Sequence, residues 1–241
     1  MAGLPPIISI ITPSYNRVDE LKYLYNSLQE QSVDLKLFEF IVSDDGSTDS
    51  TSETVKHWQT ESNFPIKFIT QENQGPGAAR NHGLENSEGE LILFIDSDCE
   101  AHPDWIKTIY EEYLNDSFDA CGGPDGAKDD FTTLQKAINY AMTAFIATGG
   151  FGNIHPGEDP DLTIRLLKLG YETQLISNAF VCHKRRISWD QFYKQVNKFG
   201  KCRPILNSWH PETSKITYWF PTCFIFGLAL GLPVSIIYNN Y

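Results

Sequence analysis

Four short, mostly apolar runs, each closed by polar, acidic or turn-forming residues, constrain this chain more than any other feature. Ile7–Thr12 (IISIIT) sits between Pro5-Pro6 and Pro13, and Phe38–Ser43 (FEFIVS), Ile66–Ile69 and Leu91–Ile95 (LILFI) follow. Runs of this length, bounded by turn residues, read as strands covered on both faces. Between them the period changes. Val18–Gln31 carries Leu21, Leu24, Tyr25 and Leu28 at helical spacing. Asp49 or Ser50 can cap a helix to about Gln59, and Ala78–Glu85 forms a short helix after a Gly75-Pro76-Gly77 turn. Strand–helix alternation over the first hundred residues predicts a parallel α/β sheet with right-handed crossovers.

Ligands of such sheets sit beyond the carboxyl ends of the strands. Pro13-Ser14-Tyr15-Asn16 follows the first strand, Asp44-Asp45-Gly46-Ser47 the second, and Asp96-Ser97-Asp98 the fourth. Each group alone is ordinary turn chemistry. Three of them on one edge outline a site.

The pattern loosens after Ala101. Pro103–Leu114 reads as a helix with Trp105, Ile109 and Tyr113 on one face, Gly122–Asp130 as a polar loop and Phe131–Ala147 as another helix. Pro160–Leu169 is a helix opened by its proline and closed by Gly170. Gln174–Cys182 resembles a last strand and Trp189–Phe199 an amphipathic helix.

The 241 residues suit one sizeable domain with a short appendage, and 41% hydrophobic against 21% charged residues is an ordinary globular balance. A net charge of -12 argues against nucleic acid as a partner. It also means that a diphosphate would be repelled unless a cation intervenes. Five cysteines without a CxxC point to reduced thiols rather than a disulfide framework. Trp219–Tyr238 is a mostly apolar run of 20 residues, and a helix of that length spans roughly 30 Å, about the thickness of bilayer hydrocarbon. Between Lys184 and Arg203 stand seven Lys/Arg and one acid, a fit to a cytoplasmic flank. The expected organisation is a domain over 1–215, with a nucleotide-binding half to residue 100 and an acceptor half from 101. Residues 216–241 are expected to be an apolar tail, either a transmembrane or membrane-associated segment that places the larger domain at the cytoplasmic face of the cell membrane, or a buried terminal helix or hairpin.

Two carboxylate groups carry candidate chemistry. Asp96 and Asp98, at i and i+2 past a strand end, can share a hard cation such as Mg2+ or Mn2+. Glu158-Asp159 precedes the Pro160 helix. It can be an N-terminal charge placement, or it can hold a general base that takes a proton from an incoming hydroxyl.

The blocks IISIITPSYNR (7–17), FEFIVSDDGSTD (38–49), NQGPGAARNHGLENSEGE (73–90), LILFIDSDC (91–99) and GEDPDLTIRLLKLGYET (157–173), in this order and spacing, resemble the family 2 inverting glycosyltransferases. The resemblance covers roughly the first 185 residues. It implies a GT-A fold, a Rossmann-like and mainly parallel sheet flanked by helices, of the bacterial membrane-associated kind. It implies sugar transfer from a nucleotide-diphosphate sugar, a UDP-sugar by expectation, to a glycan or lipid-linked acceptor. By the same resemblance Pro13 and Tyr15 line the nucleoside pocket, Asp45 accepts from the base with Asp44 beside it, and Arg80 approaches the pyrophosphate. Asp98 ligates the metal with Asp96 supporting metal or ribose, His183 adds a metal or phosphate contact, and Asp159 is the base with Glu158 orienting it. An aspartate of ordinary pKa, ~3.9, is already ionised at neutral pH, so no tuning is required. Phe151 and His155 stand where a sugar ring or simple loop packing would use them.

Two other readings compete. A catalytically inactive nucleotide-sugar-binding module would tolerate loss of Asp98 and Asp159. A metal hydrolase built on Asp96, Asp98, His155, Asp159 and His183 leaves Tyr15 and the Asp44-Asp45 pair unexplained. No G-x-G-x-x-G follows the first strand, which argues against a dinucleotide oxidoreductase.

Overall fold

The computed structural model describes residues 6–115, 119–123, 137–141, 146–183, 189–220 and 222–226, and of residues 137–141, 183, 191, 192 and 219 the backbone course alone. Nine strands and six helices are labelled here in chain order. They are β1 (Ile8–Ser14), α1 (Val18–Gln29), β2 (Phe38–Asp44), α2 (Thr51–Glu61), β3 (Ile66–Thr70), α3 (Pro76–Glu85), β4 (Leu91–Phe94), β5 (Cys99–Ala101), α4 (Trp105–Leu114), β6 (Ala120–Gly123), β7 (Ala137–Ala141), α5 (Glu158–Lys168), β8 (Thr173–Leu175), β9 (Val181–His183) and α6 (Trp189–Trp209). Seven strands form one sheet in the order β3-β2-β1-β4-β7-β6-β8, and β5 pairs with β9 apart from it. β3, β2, β1 and β4 run parallel, so their carboxyl ends share one edge.

The apolar runs are continuous because both sheet faces are covered. Ile8, Ile10, Phe38, Phe40, Val42, Leu91 and Leu93 pack with α1, α2 and α4 through Leu21, Leu24, Val55, Trp58, Trp105 and Ile109. Their alternates Ile11, Ile41, Ile92 and Phe94 pack on the opposite face with Leu162 and Leu166 of α5 and with Phe151. The period of two along each strand thus divides one apolar run between two cores. Helix α3 lies against β1 at close range. A Cβ on Gly83 would stand 2.4 Å from Ile11 Cγ2, so only glycine permits this approach.

Three sequence expectations change. The helix expected over Phe131–Ala147 is not formed at its centre, because Ala137–Ala141 is strand β7, antiparallel to β4 and β6. The physical reason is the open hydrogen-bonding edge of β4, which an extended segment satisfies and a helix does not. The rest of that segment, 131–136 and 142–145, lies outside the described residues. The strand expected over Gln174–Cys182 divides into β8, parallel to β6, and β9, antiparallel to β5. The helix expected over Trp189–Phe199 runs on to Trp209.

The chain divides into two compact units, Met1–Phe199 and Gly200–Tyr241. Within the second, Arg203 places its guanidinium 3.8 Å from the centroid of the Tyr218 ring. Among the described residues no helix is long and apolar enough to cross a membrane. Residues 227–241, which hold most of the expected apolar tail, lie outside the described residues.

Candidate active site

The parallel strands deliver their polar ends to one edge, and side-chain hydrogen bonds set the loops there. Asn16 adopts a positive φ of 53°, a conformation that asparagine tolerates better than most residues. Its Oδ1 accepts from the Thr48 N–H at 2.8 Å and the Asp49 N–H at 3.2 Å, and its own N–H donates to Ser47 Oγ at 2.8 Å. Asp49 in turn accepts from the Val18 N–H at 3.2 Å and the Thr51 N–H at 3.0 Å. Burial works against the Asp49 charge, but these donors outweigh it and hold the carboxyl below its ordinary value. The loops after β1 and β2 are therefore stitched into one wall. Pro13 is buried within β1 and Tyr15 stands exposed beyond it.

Asp44 ends β2, Asp45 follows it, and both are buried. Asp45 is committed to the loop before α3: its Oδ1 accepts from Gln71 Nε2 at 2.8 Å and the Gln74 N–H at 2.9 Å, and its Oδ2 from the Gly75 N–H at 2.8 Å. Asp44 Oδ2 accepts from the Ser47 N–H at 2.9 Å, while its buried Oδ1 has no hydrogen-bond partner among the described residues.

At the end of β4 the acids meet cations that the sequence did not assign to them. Asp98 Oδ2 lies 3.1 Å from Arg17 Nη1. Asp96 Oδ1 accepts from Arg80 Nη2 at 2.7 Å. Arg80 Nη1 lies 3.4 Å from Glu158 Oε1 at the start of α5, and its guanidinium stands 5.2 Å from the Phe151 ring centroid. Arg80 is thus buried between two carboxylates rather than standing open at the edge. Burial opposes its charge, yet Asp96, Asp159 and Glu158 together raise its pKa further.

Glu158 is buried as well, which pushes its carboxyl up, but the hydrogen bond from His155, backbone donation and Arg80 hold it below the ordinary glutamate value. His155 Nδ1 stands 3.1 Å from Glu158 Oε1. Asp159 behaves in the opposite way. Burial pushes its carboxyl up to about 6, against the pull of Arg80 and with the push of Glu158 and Asp96, and among the described residues no donor bonds that carboxylate, although the Asp159 main-chain carbonyl accepts from Thr163 Oγ1 at 2.9 Å. The expectation of an untuned aspartate is therefore corrected: desolvation tunes this one.

The backbone of His183 lies opposite Cys99 in the β5–β9 pair, one residue past Asp98. Its side chain lies outside what is described. A cleft of about 440 Å³ opens between the start of α3 and the loop before α5, bounded by Gln74, Gly75, Gly77, Asn153 and His155 among others. Asn81 fixes that loop by bonding both the N–H and the carbonyl of Phe151, at 2.9 and 3.0 Å. Asp45, through Gly75, and Glu158, through His155, hold opposite walls of the same cleft.

Sequence reasoning missed Arg17, Asn16, Gln71 and Asn81 as builders of this edge. For Asn16 a signal existed, an asparagine directly after a strand end. For the others, partners 26 to 81 positions away decide the role, and no local pattern reports them.

The family model described as Glycosyl transferase family 2 matches residues 9–192. Glycosyltransferase AglE of Haloferax volcanii is 28% identical over 226 residues, 83% of this chain and 74% of the relative. The crystal structure of S. aureus TarS 1-349 in complex with UDP-GlcNAc shares the fold with a TM-score of 0.66 at 22% identity, over 83% of this chain and 66% of that one. The mannosyltransferase PcManGT from Pyrobaculum calidifontis, in complex with GDP-Man and Mn2+, does so with a TM-score of 0.69 at 16% identity, over 95% and 81%. Other curated glycosyltransferases match over 16% to 34% of their own length, so this chain spans a fraction of those proteins.

The paired charges give a stability test. Glu158, with its folded pKa depressed, contributes stability that is present above its unfolded value near 4.5 and is lost as pH falls through the folded value. Arg80→Gln strands that buried carboxylate and is expected to cost about 3 kcal/mol at pH 7. The penalty shrinks in acid once Glu158 is protonated. Urea denaturation at the two pH values checks this, and an equal loss at both would contradict the ion-pair account.

Proposed function

The chain belongs to glycosyl transferase family 2, with the GT-A fold, and from that premise we propose that it transfers a sugar from a nucleotide-diphosphate sugar to an acceptor hydroxyl with inversion at the anomeric carbon. The observation that carries the mechanism is the state of Asp159. Its carboxylate is half-buried, free of hydrogen-bond donors among the described residues and raised to about 6. A general base works best with a pKa just below the operating pH, where it is ionised yet still takes a proton readily.

The step balances as one displacement. Asp159 takes the proton of the acceptor hydroxyl, the freed oxygen bonds to the anomeric carbon, and the bond from that carbon to the diphosphate oxygen breaks. The nucleoside diphosphate leaves with the electron pair. Glu158, fixed by Arg80 and His155, holds the start of α5 and with it Asp159. Pro13, Tyr15 and the Asp44-Asp45 pair would receive the nucleoside, Tyr15 offering an exposed aromatic face at the strand end.

Asp96 and Asp98 fit a hard divalent cation. They offer carboxylate oxygens at one strand end, where Arg80 and Arg17 meet them in this structure and a cation would take over part of that neutralisation. Mg2+ or Mn2+ is commonly held by one or two carboxylates with substrate phosphates completing the shell. When bound, such an ion would neutralise the diphosphate and favour its departure. His183, whose backbone pairs with Cys99, the residue after Asp98, would add a further contact.

A UDP-sugar donor and a glycan or lipid-linked acceptor are the substrates proposed. The TarS structure, with UDP-GlcNAc, gives a precedent for the donor in this fold. Contact with the cytoplasmic face of a membrane through residues 216–241 is supported by Phe220, Phe224, Ile225 and Phe226, each 63% to 68% exposed.

Three outcomes test this reading. Asp159→Asn is expected to lower transfer about 10²–10⁴-fold while nucleotide affinity holds, and wild-type kcat/KM should fall tenfold per pH unit below about 6. Unchanged transfer would remove Asp159 as the base. In a thermal-shift panel of nucleotide sugars, stabilisation should require Mn2+ or Mg2+ and vanish in chelator. Full-length protein should co-sediment with anionic vesicles, and recovery only in the supernatant would count against the membrane contact.

A further inference from the structure

The cleft between the start of α3 and the loop before α5 has a chemistry unlike the rest of the sheet edge. Among the described residues that line it there is no Lys, Arg, Asp or Glu. A diphosphate or a metal ion would find no charge there to meet its own. The lining mixes the amides of Gln74 and Asn153 and the imidazole of His155 with glycines and the apolar side chains of Phe151 and Ile154. The volume of about 440 Å³ lies within the range of small-ligand sites, roughly 300–1,000 Å³.

His155 gives the cleft a direction. Its Nδ1 stands 3.1 Å from Glu158 Oε1, and Glu158 is paired with Arg80. An ionised carboxylate accepts only, so Nδ1 carries the proton. The other ring nitrogen, Nε2, is left for the cleft, and the side chain is 48% exposed. Three side chains separate this nitrogen from the end of β4: His155 holds Glu158, Glu158 holds Arg80, and Arg80 holds Asp96. The position of Nε2 is therefore tied to the acids proposed above for donor and base.

Resting on the glycosyltransferase reading, we propose that this cleft is the subsite for an uncharged sugar ring and that His155 Nε2 hydrogen-bonds a ring hydroxyl there. His155 is a specificity-determining residue held in one tautomer by Glu158. The ring can belong to the donor or to the acceptor; the chemistry of recognition is the same, and experiment separates the two.

The test uses the full chain, as wild type, His155→Ala and His155→Gln. The glutamine amide can reach the Nε2 position, so His155→Gln is expected to retain most of the effect and to serve as the control for folding. Calorimetry with Mn2+ measures affinity for UDP and for UDP-glucose and UDP-N-acetylglucosamine. Assays then follow donor hydrolysis without acceptor and transfer to an acceptor panel. Loss of one hydrogen bond predicts about a tenfold effect. If the donor sugar fills the cleft, His155→Ala weakens both sugar nucleotides about tenfold and leaves UDP unchanged. If the acceptor does, all three affinities and hydrolysis hold while the acceptor KM rises about tenfold. Equal loss for UDP and its sugars, or no change in any quantity, overturns the subsite. Wild-type protein that binds no nucleotide at all overturns the function reading on which the subsite stands, a result distinct from failure of His155 alone.

Discussion

One buried guanidinium holds the site together. Arg80 reaches from α3 to Asp96 at the end of β4 and to Glu158 at the start of α5, so a single side chain joins the parallel strands to the helix that carries Asp159. A buried charge is costly unless paired, and here each charge is the other's compensation. The consequence reaches past the pair itself. Glu158 takes the hydrogen bonds and stays ionised, while Asp159, next in sequence, is left with desolvation as its main influence. Two adjacent carboxyls thereby acquire opposite tendencies, the condition under which one orients and the other accepts a proton.

The sheet explains why these groups meet. Four parallel strands end on one edge, and their bodies are buried on both faces by α1, α2 and α4 on one side and α3 and α5 on the other. Nothing polar can be placed within such strands without cost, so the chemistry collects where they end. The loops there are held by side chains standing in for backbone partners, as Asn16, Asp45 and Asn81 each satisfy two or more main-chain groups. A binding edge made of loops is fixed in this way without regular secondary structure.

Much of this was legible along the chain. The four apolar runs, the helix at Val18, the capped helix after Asp49 and the glycine-closed helix at Pro160 all form, because local period and turn chemistry agree with the tertiary outcome. Ala137–Ala141 was not legible, because a β4 edge that needed a partner overrode its helical appearance. The division of Gln174–Cys182 between two sheets depended likewise on which open edges lay nearby. Arg80 was expected near a pyrophosphate, and its pairing with Asp96 and Glu158 was not legible because both are remote in sequence.

The sequence by itself determined the class of fold, the edge on which the candidate site residues gather and their types, since strand ends and acidic clusters are local features. Only the tertiary structure decided which charge neutralises which, that Asp45 builds a loop, that Arg80 is a strut and that Asp159 titrates near 6. Pairing and desolvation depend on distance and burial, and neither quantity exists until the chain has folded.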